Sequence, residues 1–418
     1  MSCPVHLDGR SLEGGGQLLR IALGISALTS IPVHITDIRG NRAGGGGLKG
    51  QHLAVVKWLA KACGVDASNM MKKSKTLTFK PDAESIDASL FTNYTLPDGT
   101  ECLHTKINME SPGSIGLAFQ AVLPYVLFSS HTTCPRLPVR LSFYGGTNVS
   151  FSLSHDYVVQ VLLPTLSRIG IPPITANLGK RGWSTGGAQI GSVMFIIQPI
   201  TLGASFPAFQ LVERGELKSI HATAILPKSS HAEMGSKLTD AVTRRFGLDA
   251  SHFTLQLEAS YHSKRLYLVL VATTSTDCKL GRDWLYDRKI TSLSVAIAEL
   301  VARVTSDLVV ELAGSGRVDE YMRDQLVIFQ ALARGRSKID VGRGEAAKEG
   351  RKSIRRPSLH ARTAEWVVER LLGTRSDGGG GGEGVGFVVG EPFGERKRVG
   401  QDDENGGALE EKMGKLHV

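Results

Sequence analysis

Disulfide architecture is the first thing this sequence lacks. Five cysteines, Cys3, Cys63, Cys102, Cys134 and Cys278, are scattered along 418 residues with no C-x-x-C pair and an odd total. That pattern argues against a disulfide-stapled scaffold and a structural zinc site and fits a reducing compartment. Long apolar runs are missing as well: no stretch reaches the roughly 18 consecutive apolar residues of a membrane span, and MSCPVHLDGRSLEGGG has no basic stretch leading into an apolar one. The expectation is a soluble intracellular protein with no membrane partner, in the nucleus ahead of the cytoplasm. Aromatics make up only 6% of residues and do not cluster with basic residues along the chain, which weighs against a stacking platform for single-stranded nucleic acid. Two phosphate-binding signatures are also absent, the P-loop ending in Gly-Lys-Ser/Thr and the dinucleotide fingerprint after a strand.

What is abundant is glycine, 48 residues of it, and positive charge, 49 Lys+Arg against 40 Asp+Glu for a net +9. The charge favours phosphate-bearing partners about as well as it favours a solvated basic surface. From residue 13 to about 190 a weak repeat pairs an apolar helix with a strand ending in glycine or arginine. The three units are EGGGQLLRIALGISALTS into IPVHITDIRGNR, SPGSIGLAFQAVLPYVLFSS into LPVRLSFYGGTN, and HDYVVQVLLPTLSRIG into IPPITANLGKRGWSTGG. Leu18, Leu19, Ala22, Ile25 and Leu28 fall on one helical face, and Val33, Ile35 and Ile38 alternate as in a strand. The fold class expected is α/β of the α+β kind: a large domain of three repeated helix and sheet units (residues 1–203 and 283–375) with a smaller α/β domain inserted at 204–282. Val341 to Arg356 holds six basic and two acidic residues and is expected to be a solvated loop rather than a nuclear-import signal. Residues 376–418, with the run Gly378 to Gly382, are expected to be a disordered tail.

Glu13-Gly14-Gly15-Gly16-Gln17 opens directly into a helix, which offers backbone N–H groups and a positive helix end to a phosphate. Taken alone it fits a tight turn better. Arg39 and Arg42 follow the first strand, and the loop Gly44 to Gly47 leads to Gln51-His52 at the head of a helix; guanidinium groups there could clamp a polyanion, or pair on the surface. Gly145-Gly146-Thr147-Asn148 and Lys180-Arg181-Gly182 close the second and third units, so three strand ends could converge on one polar site. His360, in SLHARTAEW beside a helix start, would be held neutral by the positive helix end, as nucleophilic attack requires.

Eight segments in this order, EGGGQLLR, IRGNR with QHL, SPGS to Q-x-V-L-P, GGTN, KRG, ERG at Glu213 to Gly215, VDEYMRDQL and SLHARTAEW, resemble the motifs of the RNA 3′-terminal phosphate cyclases over residues 6 to 373. The resemblance implies a ligase-type enzyme that uses ATP and a divalent metal, Mg or Mn, to turn an RNA 3′-phosphate end into a 2′,3′-cyclic phosphate. It implies that His360 is the nucleophile that carries AMP, with Gln120, Leu153, Tyr321, Asp324 and Gln325 around the nucleotide. Glu13 would hold the metal, and Arg20, Arg39, Arg42, Gln51 and His52 the triphosphate or RNA end. Leu153 stands where the family often has proline, the loop from Arg42 to Gln51 is one residue longer, and the basic stretch before His360 looks like an insertion. Two rival readings are a non-catalytic cyclase-like scaffold in ribosome biogenesis, against which the histidine with its Asp-Gln partner counts, and a general RNA-binding module.

Overall fold

A computed structural model gives the structure of the chain and describes residues 3–42, 44–82, 87–129, 137–343 and 354–393. It is an α+β fold. Strand β1 (Val5–Asp8) leads to helix α1 (Gly16–Thr29), which turns into β2 (Val33–Thr36), α2 (Gly50–Ala62) and β3 (Leu77–Phe79). β1 and β2 pair in parallel and β3 closes the sheet antiparallel. The apolar spacing of α1 suggests one buried face, yet from Gln17 to Thr29 every residue except Leu28 is buried. The reason is its position: α2, α3 (Ile115–Phe128) and a late helix, α9 (Leu359–Leu372), pack around it, so its polar face points into the protein and not into water. Gly24 permits the close approach to α3, since a Cβ there would stand 2.9 Å from the Ala121 carbonyl oxygen.

The second unit sets β4 (Thr92–Thr95), β5 (Glu101–Asn108) and β6 (Val139–Gly145) around α3. Next, α4 (His155–Tyr157) runs through a π-turn at Val158–Leu162 into α5 (Leu163–Arg168), followed by β7 (Ile174–Lys180) and β8 (Gly191–Ile197). Here the structure departs from the expected three units. β7 does not found a third sheet but joins the second, in the order β4-β5-β6-β8-β7.

The third sheet is built from both sides of the insertion, β9 (Gln210–Leu211) before it and β14 (Arg334–Ile339) and β15 (Gly381–Val385) after it. Between them lie β10 (Leu217–Leu226), α6 (His231–Phe246), β11 (Phe253–Ala259), β12 (Tyr267–Thr274), β13 (Lys279–Leu285) and α7 (Leu293–Ala313). These have their own apolar cluster, from Ile220 to Leu308. The small unit thus extends past 282, because Ile297, Leu300, Val304 and Leu308 of α7 cover its sheet. Residues from 204 to 211 belong instead with the large cluster, through Phe206, Phe209 and Leu211.

Helices α8 (Glu320–Leu332) and α9 (Leu359–Leu372) complete the large unit against α1 and α3. Ser358 caps α9, its hydroxyl accepting from the Ala361 N–H at 3.2 Å, and the Asp319 carboxylate caps α8 by accepting from the Met322 N–H at 2.9 Å. The expected disordered tail is corrected from Ser376 to Phe393: β15 pairs with β14 over five residue pairs, and Val385, Phe387 and Val389 are buried. Its glycines are there for close approach. A Cβ on Gly384 would press on the carbonyl oxygens of Ala333 and Gln330, which is why a strand hides in what reads as low complexity. Residues 394–418, and 344–353 of the basic loop, lie outside the described residues. No described helix is long and apolar enough to cross a membrane.

Candidate active site

The start of α1 is the floor of the site. A Cβ on Gly15 would collide with the Glu13 carboxylate, and one on Gly16 would stand 2.8 Å from Arg20 Nη1 and 2.9 Å from His52 Nε2. The glycine triplet therefore exists because four side chains, those of Glu13, Arg20, Asn41 and His52, fold over it. Glu13 is nearly buried; its backbone N–H donates to Thr363 Oγ1 of α9 at 3.1 Å, which fixes α9 against the triplet. One carboxylate oxygen takes Arg42 as an ion-pair partner and stands 3.5 Å from His360 Nε2. The other, Oε2, is buried with no partner among the described residues.

Positive charge gathers above this floor with few anions to match it. Arg20 is buried, and burial lowers its pKa to about 10, with the Asp324 carboxylate opposing. Its guanidinium donates to Gln17 Oε1 at 2.5 Å and Gln120 Oε1 at 2.9 Å, both neutral. Arg39 has a left-handed backbone (φ 57°) and donates to the Gly47 carbonyl at 3.2 Å; burial lowers its pKa too. Lys49 is pulled down first by Arg39, then by burial and Arg42. His52 is pushed to about 3 by burial, then by Arg20, Arg39 and Lys49, so it is neutral. Its Nδ1 accepts the Lys49 N–H at 3.3 Å, which leaves Nε2 as the protonated nitrogen.

His360 lies in the first turn of α9, half-exposed. Its pKa falls below the usual histidine value through burial, then Arg20 and Arg42, with Glu320 opposing. The Glu13 carboxylate, though near, is already engaged by Arg42 and does not reverse that direction. A neutral imidazole thus faces the cationic cluster.

A buried polar chain ties the site to α3 and α8. Gln17 Nε2 donates to Asp324 Oδ2 at 2.9 Å, and Gln325 Nε2 to the same oxygen at 3.2 Å. Burial raises Asp324 to about 6. Gln120 Nε2 is buried without a partner among the described residues. Gln51 accepts the Ser114 N–H at 3.0 Å, joining α2 to the start of α3. Leu153 and Tyr321 stand outside this chain, both half-buried against the large apolar cluster. Leu153 packs beside Gly116, one turn before Gln120, and Tyr321 lies under the Arg282 guanidinium (4.7 Å to the ring centre), one turn before Asp324.

The expected residues therefore form one polar cluster, Glu13, Arg20, Arg39, Arg42, Gln51, His52, Gln120, Asp324, Gln325 and His360, with Leu153 and Tyr321 one helical turn from its edge. Gln17, Lys49 and Thr363 were missed as members. Only Gln17 had a signal, its place in the glycine motif. Of the three strand ends, Gly145 to Asn148 abuts the loop before α3, but Arg181 does not serve an anion: it is clamped by Asp156 (2.6 Å) and by Glu258 of the small unit (2.7 Å). No group of three or more His, Cys, Asp or Glu residues placed to hold a metal occurs among the described residues.

A family described as RNA 3′-terminal phosphate cyclase matches residues 11–377. The chain is similar to the RNA 3′-terminal phosphate cyclase of Drosophila melanogaster, 27% identical over 379 residues that cover 89% of this chain and 92% of the relative.

Proposed function

The chain belongs to the RNA 3′-terminal phosphate cyclase family, and on that premise we propose that it is a catalytic member that uses ATP to convert an RNA 3′-phosphate into a 2′,3′-cyclic phosphate. The observation that carries this reading is a half-exposed, neutral histidine set beside a cationic cluster that outnumbers its carboxylates over a helix N-terminus, an arrangement a scaffold protein has no need to maintain. A neutral ring nitrogen of His360 attacks the α-phosphorus; the bond from that phosphorus to the bridging oxygen breaks, and pyrophosphate leaves. Arg20, Arg39, Arg42 and Lys49 hold the phosphate oxygens on which charge gathers. An oxygen of the RNA 3′-phosphate then takes the AMP from His360, and the adjacent 2′-hydroxyl attacks that activated phosphate, loses its proton and expels AMP.

The site fits a divalent cation in a limited way. Glu13 Oε2 is a buried carboxylate oxygen without a partner among the described residues, and one carboxylate with several phosphate oxygens is a common setting for Mg²⁺. Bound there, Mg²⁺ or Mn²⁺ would supply charge neutralisation to the triphosphate. Leu153 and Tyr321 offer apolar surface to the adenine, and Gln120 Nε2 a free donor.

The test compares three labelled oligoribonucleotides that differ only at the terminal sugar and phosphate. A 3′-phosphate end should give cyclic product with ATP. A 2′-deoxy 3′-phosphate end should stall as an AMP-capped species, for want of an internal nucleophile. A 3′-hydroxyl end should not react. Cyclic product without ATP, or equal consumption of the 3′-hydroxyl RNA, overturns the assignment.

A further inference from the structure

Two aromatic side chains project almost wholly into solvent, Phe151 at 98% and Tyr261 at 94% exposure, and both sit on left-handed backbone (φ 59° and 53°). Bulky residues avoid that conformation, so these rings are held out against a local cost. They are 110 positions apart, and nothing in their sequence neighbourhoods links them. The fold does. The Ser184 N–H donates to the Asn148 carbonyl at 3.2 Å, and the Ser150 N–H to Ser184 Oγ at 3.3 Å, tying the Phe151 loop to the loop after β7. From the small unit, Arg265 donates to Gln189 Oε1 at 2.5 Å and to the Gly187 carbonyl at 3.2 Å, tying the Tyr261 turn to that same loop.

Three loops thus meet on one surface where the two units join. Residues 144–155, 179–190 and 259–266 carry Lys180, Arg181, Lys264 and Arg265 and no Asp or Glu, and the carboxylates that flank them, Asp156 and Glu258, are both paired with Arg181. Arg181 and Arg265 are engaged in holding the loops, but Lys180 and Lys264 are exposed with no ion-pair partner among the described residues. Asn148 Nδ2 and Thr185 Oγ1, in the same loops, are buried with no hydrogen-bond partner among the described residues. Leu153, at the edge of the candidate active site, is two residues from Phe151.

We propose that this surface binds the single-stranded body of the RNA whose end reacts, with bases stacked on Phe151 and Tyr261 and phosphates drawn to Lys180 and Lys264. Exposed rings whose flanking carboxylates, Asp156 and Glu258, are already held by Arg181 match single-stranded RNA in both shape and charge: every base has a face to stack, and the backbone is anionic. The proposal rests on the reading of RNA as substrate. It would join on one surface aromatic and basic residues that do not cluster along the chain.

The experiment uses the full chain and measures binding of a trinucleotide and of a longer single-stranded oligoribonucleotide, both ending in 3′-phosphate, alongside labelling of the protein by ATP. Phe151→Ala with Tyr261→Ala should weaken the longer RNA by about tenfold or more per ring, leave the trinucleotide nearly unaffected, and leave labelling unchanged. Phe151→Trp with Tyr261→Phe should restore binding. If the doubly substituted protein binds the longer RNA as tightly as the native one, or loses both RNAs equally, the surface is refuted while the cyclase reading stands. If native protein binds the longer RNA through these rings but never forms cyclic ends, the surface stands and the cyclase reading falls. Failure of the native protein to bind either RNA overturns both.

Discussion

Replacing Arg20 with Met separates the demands of the site from those of the fold. The guanidinium is buried between Gln17 and Gln120, and burial lowers its pKa from 12.5 to about 10. Holding that buried charge therefore costs the native state on the order of 3 kcal/mol. Met fills much of the same volume and removes the cost. Against this, two buried amide oxygens lose their donor, at about 1–3 kcal/mol each. The terms partly offset, so stability read from urea unfolding should move by no more than about 3 kcal/mol. Labelling by ATP should drop by on the order of a hundredfold if, as proposed, the same charge meets the phosphates. A variant that loses more than about 4 kcal/mol, as breaking a buried pair does, yet labels at the native rate would show that Arg20 belongs to the core and not to the site.

Three further outcomes follow from neighbouring features. The buried Asp324 carboxyl has a pKa raised from 3.8 to about 6, so the native state binds its proton more tightly than the unfolded chain does. Its contribution to stability is complete below about pH 4 and is lost as pH rises through 6; Asp324→Asn should flatten that part of the urea-stability profile, and an unchanged slope would contradict the burial argument. Truncation before Gly378 should destabilise by several kcal/mol, because β15 pairs with β14 and Val385, Phe387 and Val389 are buried, each side chain worth about 1.5–3 kcal/mol; a native melting curve would contradict the ordered tail. Glu13→Gln should raise the concentration of divalent cation needed for half-maximal labelling while leaving the fold intact, and an unchanged requirement would remove Glu13 as a metal ligand.

Much of this arrangement was legible from local signals. Helix periodicity placed α1 and α3, and the glycine triplet marked the site, because those features depend on near neighbours in the chain. The third sheet was not legible, since β9 has two residues and β15 is GGEGV, neither of which carries an alternating pattern. Arg181 reads like Arg39 and Arg42, a cation at a strand end, and only the insertion of the small unit decides that Glu258 captures it. Likewise Gln17 gains meaning only when α8 delivers Asp324 to it from 307 residues away. The roles of His360, Leu153 and Tyr321 rest on the family's motifs, and the geometry adds to these a neutral imidazole beside unmatched cations.

The proposed reaction begins with a covalent bond from His360 to AMP, and the claim can be checked directly. It is tested by incubating the protein with ATP labelled in the α-phosphate and a divalent cation, then separating under denaturing conditions. The expected result is a labelled band that survives mild alkali and is lost in acid, since protonation turns the imidazole of a P–N bond into a leaving group, and that is absent from a folded His360→Ala protein. A label that persists in His360→Ala, or that resists acid, contradicts the claim.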